Sequence, residues 1–337
     1  MKNPVFSTPV LFIVFNRPDT TKLVFEEIRK VRPTQLYVTG DGPRTHKEGE
    51  QELVRQAREI ATAVDWPCEV TTLFREKNLG CKYAVGGALN WFFGQVEEGI
   101  VLEDDDLPDP SFFPFCVEML ERYRDDERIM HISGNNFQQK NEKYVCDASY
   151  YFSAAPHIWG WASWKRAWKH YDIEVRQWPE VRDKGLLKGV FDGPGVFRWG
   201  WLFQQYYDKK INSYDTQWAF ACIINRGLAI TPRTNLVTNI GFGPGATHGQ
   251  DPSDHQANIP LEAVSFPLMH PREVMVHSIA DAYTYRYLYR INFYWSQRAR
   301  WFFKSRFPRL YVFLKKNYHW FVHKRTIDSD TELALLA

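Results

Sequence analysis

The chain is expected to fold as an α/β protein, a doubly wound sheet with helices on both faces. Three observations carry that expectation. Short apolar runs alternate with segments of helical period through the first half of the chain. The first run, Val10-Leu-Phe-Ile-Val-Phe15, is apolar at every position, as in a strand covered on both sides. Loops carrying Arg17, Asp41 and an acidic cluster follow three of the strands, which gathers them at the sheet edge where open α/β sheets bind ligands.

After the first strand, Asp19-Thr-Thr reads as a helix cap leading into Leu23, Val24, Ile28 and Val31 at helical spacing. Leu36-Tyr-Val38 is the second strand. It ends in Gly40-Asp41-Gly42-Pro43, a turn that leaves a carboxylate at the strand's end. A polar helix is predicted over 47–64 and a β-branched strand over 69–74. After the loop from Arg75 to Gly80 comes a helix from Cys81 to Val96, where Gly86 and Gly87 allow close packing. No GxxxxGK[ST] loop is present and no GxGxxG follows the first strand, which argues against Walker-type and dinucleotide sites.

The next strand, Ile100 to Leu102, delivers Glu103, Asp104, Asp105 and Asp106 to its end, and Pro108 and Pro110 stop it. Two like charges ~4 Å apart repel by about 4 kcal/mol at an effective dielectric near 20. Beside a buried strand such a cluster calls for a cation, and a hard divalent metal with oxygen ligands would supply one. A solvated acidic turn is the plainer alternative.

A helix over 118–123 and a strand over 129–133 follow. Pro156 to Trp168 then holds four tryptophans, Trp159, Trp161, Trp164 and Trp168, around Gly160. A loop of rings lining a site and a set of core side chains both suit that composition. Asp215 opens a helical segment over 217–225, where capping is the ordinary role for an acid. Gly241-Phe-Gly243-Pro-Gly245-Ala-Thr247-His248-Gly249 is a turn whose backbone N–H groups could meet a phosphate, and whose histidine could ligate a metal.

The C-terminal stretch differs in kind. Between Tyr283 and Arg325 there are eleven Lys or Arg and no Asp or Glu, interleaved with aromatic residues. That composition suits helices lying on an anionic membrane surface. A helical cap on the domain, a partner interface and RNA binding are the alternatives. The division expected is a domain over 1–270, with its donor half over 1–150 and its acceptor half over 151–270, followed by a basic aromatic helical region over 271–337.

With 337 residues, 44% of them hydrophobic, the chain can bury a large core, and a net charge of +2 makes no general case for a nucleic-acid partner. Cys68, Cys81, Cys116, Cys146 and Cys222 show no CxxC or metal spacing and read as small core residues in a reducing compartment. The apolar run from Pro9 to Phe15 is too short for a signal sequence or for the ~20 residues of a span. A cytoplasmic protein, peripheral on the inner face of the membrane, is the expectation.

Taken in order over about residues 8 to 250, these stretches resemble the GT-A nucleotide-sugar glycosyltransferases, in particular the N-acetylglucosaminyltransferase I type and bacterial family 2 glycosyltransferases. The motifs that carry the resemblance are Asn78-Leu79-Gly80-Cys81-Lys82, Glu103-Asp104-Asp105 with Pro110-Ser111-Phe112-Phe113, and Trp159-Gly160-Trp161-Ala162-Ser163-Trp164. The resemblance implies a mixed sheet flanked by helices and an inverting transferase that moves a sugar from a nucleotide-diphosphate sugar, UDP-linked by preference, to a hydroxyl acceptor on a glycan or lipid. It implies that Arg17 contacts the nucleotide and that Asp41 receives the uracil edge. Asp105 would bind Mn²⁺ or Mg²⁺, with Asp106 as the other candidate ligand. Glu103 would hold the donor sugar, Asp104 the ribose or sugar, and His248 would lie near the diphosphate. Trp161 would belong to a mobile cover, and Asp215 would act as the base. Asn16 stands where the family has an aspartate, and Ala84 where it has a nucleotide-contacting histidine. A metal-dependent nucleotidyltransferase or pyrophosphatase, and a carbohydrate-binding membrane-surface protein without catalysis, are the competing readings.

Overall fold

The computed structural model describes residues 5–191, 193–243, 256–257 and 259–289. The N-terminal part alternates β1 (Val10–Val14), α1 (Pro18–Val31), β2 (Gln35–Gly40), α2 (Glu50–Thr62), β3 (Glu69–Phe74), α3 (Gly80–Gln95) and β4 (Glu98–Glu103). Next come β5 (Asp106–Pro108), α4 (Phe112–Arg122), β6 (Ile129–Ser133), β7 (Tyr150–Ser153), β8 (Trp161–Trp164) and α5 (Lys165–Trp168). The chain continues through α6 (Trp178–Asp183), α7 (Gly193–Tyr207), α8 (Asp215–Ile224), β9 (Leu228–Pro232), β10 (Val237–Asn239) and α9 (Ser278–Tyr283).

Eight strands form one sheet in the order β3-β2-β1-β4-β8-β6-β9-β7, and β10 pairs with β5 in a small second sheet. The first four strands of the large sheet are parallel, β8 enters antiparallel between β4 and β6, and β7 closes the far edge antiparallel to β9. The result is a mixed α/β sheet flanked by helices, as the resemblance implies.

Alternation along β1 shows why its every residue is apolar. Val10, Phe12 and Val14 enter one core cluster, with Val24, Phe25 and Ile28 of α1. Leu11 and Ile13 enter the other, with Leu89 and Phe92 of α3. A third cluster lies away from the sheet, where Trp178, Trp199, Phe203 and Phe220 of α6, α7 and α8 pack together. All five cysteines are free.

Several boundaries differ from expectation for local reasons. Helix α1 begins at Pro18 with Arg17 at the capping position and no side-chain cap, so Asp19 lies inside the first turn. Proline there loses no helical hydrogen bond. Helix α4 starts at Phe112, ahead of the predicted 118, because Phe112, Phe113, Phe115, Cys116, Met119 and Leu120 already form its buried stripe. The tryptophan stretch is not all loop: Trp161 to Trp164 is strand β8, buried at every position.

His131 ties β6 of the sheet to α8 and to the loop before β8. The Trp218 indole N–H donates to its Nδ1 at 3.1 Å, and its Nε2 lies 2.7 Å from the His157 carbonyl, so the ring is neutral with the proton on Nε2. Burial pulls its pKa from 6.5 down to about 4. The unfolded ring protonates at the ordinary value, so His131 supports the fold above pH 6.5. Its contribution is lost as the pH falls from there to about 4, at about 1.4 kcal/mol per unit. An NMR titration should show His131 still as the Nε2–H tautomer well below pH 6.5, and a midpoint at the ordinary value would contradict this account.

Candidate active site at the carboxyl edge of the sheet

Parallel pairing sets Val14 opposite Gly40 and Ile13 opposite Glu103, so β1, β2 and β4 end at one edge. Arg17, Asp41 and the acidic run all leave from there. A cavity of about 400 Å³ among Pro9, Gln35, Tyr37 and Glu98 opens at the other edge, among the strand starts, and holds none of the candidate residues.

A turn at Asp104-Asp105 joins β4 to β5 and divides the acids. Asp104 and Asp106 are turned inward, whereas Glu103 and Asp105 keep partial exposure. Asp104 accepts from the Phe15 N–H at 2.9 Å and thereby ties the ends of β1 and β4. Asp106, the other candidate metal ligand, is buried behind the strand end. Its Oδ2 accepts from the Gly160 N–H at 2.8 Å and the Glu103 N–H at 3.2 Å, and its Oδ1 is buried without a partner among the described residues. Asp105 faces the open side and forms an ion pair with Arg17.

The cluster is electrostatically crowded. Burial, Asp105 and Asp104 push the Glu103 carboxyl up to about 8, against a hydrogen bond from Tyr214 and the charge of Arg17. Burial and Asp105 hold Asp104 at about 7. Burial, Asp105 and Glu103 raise Asp106 well above the carboxylate range. Arg17 is the one cation hydrogen-bonded to these four side chains among the described residues. An added divalent cation would relieve the repulsion, and the donor set, carboxylate oxygens only, suits Mn²⁺ or Mg²⁺. No group of three or more His, Cys, Asp or Glu forms a ready metal site among the described residues. An ion on Asp105 would therefore draw further oxygens from a ligand and from water, as Mg²⁺ sites commonly do.

Asp41 is differently employed from expectation. Its two oxygens accept from the N–H groups of Gly42, Leu79 and Gly80 and from the Asn78 amide, at 2.9 to 3.0 Å. These bonds use up its lone pairs and fix the loop that starts α3, so Asp41 supports the site from behind. This explains Asn78-Leu79-Gly80 in the motif. The next residue, Cys81, lies in the first turn of α3: burial and then the charges of Glu103, Asp215, Asp41 and Asp105 all push its thiol up. Those four carboxylates thus all disfavour a negative charge in the first turn of α3. Lys82 is buried there in an ion pair with Glu174 at 3.3 Å.

Asp215 is the first residue of α8 and does not cap it, since the capping position is Tyr214 and has no side-chain cap bond. Its Oδ1 accepts from the Ser213 hydroxyl. Tyr214, fully buried, donates its hydroxyl to Glu103 Oε1 at 2.7 Å and so links the acid strand directly to the start of α8. Neither Ser213 nor Tyr214 is evident as a site residue from sequence, because Tyr214 acts through a contact 111 residues away and Ser213 through Asp215, two residues on.

The tryptophan reading needs correction. Trp161 is 0% exposed and lies within Phe93, His131, Trp168 and Trp218, with ring centroids 5.3 to 6.2 Å away. A ring packed on all sides does not serve as a mobile cover. Trp159, two residues earlier and half-buried, meets Phe242 of the glycine-rich turn at 5.9 Å. Between them Gly160 takes a φ of +55°, which reverses the chain, and a Cβ there would come within 2.7 Å of Val237.

Gly241 belongs to the site itself. The Ile240 N–H donates to the Asp105 carbonyl at 2.9 Å, and a Cβ on Gly241 would fall 2.0 Å from Asp105 Oδ2 and 2.5 Å from Arg17 Nη1. His248, six residues on from Phe242, lies outside the described residues, as do 290–325 of the basic stretch.

No family model and no curated protein matches the chain. Among solved structures it is similar to an apo UDP-glucose pyrophosphorylase, with a TM-score of 0.35 and 10% identity over 67% of this chain and 90% of that one. It is similar also to a 4-diphosphocytidyl-2C-methyl-D-erythritol synthase from Anaerococcus prevotii, with a TM-score of 0.35 and 6% identity over 66% and 88% of the two chains. Mouse xyloside xylosyltransferase 1 aligns with a TM-score of 0.30 and 10% identity over 65% and 81%. Likenesses of this size carry no chemistry; what the site can do follows from its own residues.

Proposed function

We propose that the chain is an inverting, metal-dependent glycosyltransferase that moves a sugar from a nucleotide-diphosphate sugar, UDP-linked by preference, to a hydroxyl group. The observation that carries this reading is the contact between Tyr214 and Glu103, which brings the helix led by Asp215 against the acid strand end. A cluster of acids with one arginine and a separate carboxylate next in the chain to the linking tyrosine would supply the two sides that a group transfer to an acceptor needs.

Asp105 would hold Mn²⁺ or Mg²⁺ together with the donor's diphosphate, and the ion would neutralise charge that builds on the leaving group. Arg17, freed from Asp105, would turn to the phosphates. Glu103, oriented by Tyr214, would accept hydrogen bonds from the donor sugar. Asp215, held by Ser213, would take the proton of the acceptor hydroxyl as that oxygen bonds to the anomeric carbon and the bond to the diphosphate breaks. Trp159 and Phe242 would shield the donor from water.

A nucleotidyltransferase would use the same acids, but it gives no role to Asp215 and favours a basic, glycine-rich first loop, which Phe15-Asn16-Arg17-Pro18 is not. Incubating the purified chain with a panel of nucleotide sugars plus acceptors, and separately with nucleoside triphosphates plus sugar 1-phosphates, separates the two: release of nucleoside diphosphate from a nucleotide sugar with an acceptor supports the transferase, and release of pyrophosphate from a triphosphate, with no such transfer, overturns it. In that assay Gly241→Ala should lower turnover by about a hundredfold, the cost of an ångström-scale shift of Asp105, with a nearly unchanged melting temperature. Full activity in this variant would remove Asp105 from the donor site.

A further inference from the structure

The face of α9 that turns away from the domain is unusually apolar for a polar, charged protein. Helix α9 and the helical turn that continues it over Thr284–Leu288 are firmly held on their inner side. Buried Asp281 accepts from the Ser153 hydroxyl at 2.6 Å and the Ala154 N–H at 2.8 Å, and the Gln138 amide donates to Thr284 at 3.0 Å. On the outer side Ile279 is 46% and Tyr287 48% exposed, and Tyr283 stacks on Tyr287 at 4.5 Å. Met275 and Val145, 69% and 70% exposed, extend the same face, because the His277 ring reaches the Val145 carbonyl at 2.8 Å. Exposed charges on its flanking segments come close to balance, with Lys140, Lys143, Arg272 and Arg286 set against Glu142, Asp147 and Glu273.

The charge that identifies a partner comes from the chain that follows. Residues 283 to 325 carry eleven Lys or Arg and no acid, with aromatic residues throughout. No described helix is long and apolar enough to cross a membrane. An apolar, aromatic outer face that leads into such a stretch matches a surface that is negatively charged and soft enough to admit Ile and Tyr side chains. We propose that the face formed by Val145, Met275, Ile279 and Tyr287 docks on an anionic lipid bilayer, with the basic stretch supplying the long-range attraction. This stands apart from the transferase reading, since an inactive chain would dock equally well.

The test is co-sedimentation of the full chain with phosphatidylcholine vesicles, with and without phosphatidylserine. The chain should sediment with the serine-containing vesicles, less so as salt rises, and hardly at all with the neutral ones. Ile279→Glu combined with Tyr287→Glu should weaken that binding by about tenfold or more, and Arg286→Gln by about fivefold. All three side chains are exposed, so melting curves should stay put; if the double variant melts early, Arg286→Gln alone decides. Absence of binding to the anionic vesicles, equal binding to both vesicle types, or unchanged binding in the folded variants would overturn the proposal. So would capture of a structureless RNA in place of vesicles, or a dimer that the double variant dissociates with no vesicle binding in the wild type.

Discussion

Asp215→Asn is expected to abolish sugar transfer, by about 10²- to 10⁴-fold, while nucleotide-sugar binding changes by no more than about threefold. The substitution keeps the shape and the hydrogen bond from Ser213 but removes the ability to take a proton. Asp215 lies at the first turn of α8 without capping it, so loss of helix stability does not account for an activity loss. Steady-state rates and direct binding, measured side by side, separate the roles. Parallel loss of binding and rate would make Asp215 a donor ligand, and no loss of rate would remove it from the chemistry.

Asp105→Asn should have the opposite signature. Changing even the partners of a metal ligand costs about 10- to 100-fold in affinity, so losing the ligand's charge should weaken metal-dependent nucleotide binding by about a hundredfold or more. The same change removes the ion pair with Arg17, a partly exposed contact of small worth to the fold. The melting temperature without ligand should therefore move little, or rise, because repulsion with Glu103 and Asp104 is relieved. Asp106→Asn serves as the comparison: its carboxyl is buried against Gly160 and the Glu103 backbone, so its effect should fall on stability and not on metal affinity.

How much of this is legible in the sequence depends on the range of the interactions. The apolar run at Val10 to Val14 and the acids at Glu103 to Asp106 are local patterns, and they suffice to place strand ends at one edge. Local pattern cannot choose between Asp105 and Asp106 as the residue facing out, because a turn at Asp104-Asp105 breaks the alternation, and where it falls is set by β4 pairing with β1 and β5 with β10. Asp41 reads as a free carboxylate at a strand end until the loop from Asn78 to Gly80 folds onto it, a contact 37 to 39 residues away. Trp161 reads as loop because Gly160 precedes it; antiparallel insertion of β8 between β4 and β6 is a long-range event that single-strand composition does not encode. Trp159, on the near side of the same glycine, carries the exposure that the pattern suggests for its neighbour. Tyr214 is hidden for the same reason, since only the folded chain brings its hydroxyl to Glu103.

The same long-range contacts define the central claim, that Glu103 and Asp105 with Arg17 form a metal-dependent site for a nucleotide-diphosphate sugar. Titration calorimetry of UDP, then GDP and CDP, into the purified chain with and without Mn²⁺ tests it most directly. The expected result is binding of at least one of these diphosphates that requires the metal and is lost in Asp105→Asn. Binding of equal strength without metal, or none of the three binding in its presence, would contradict it.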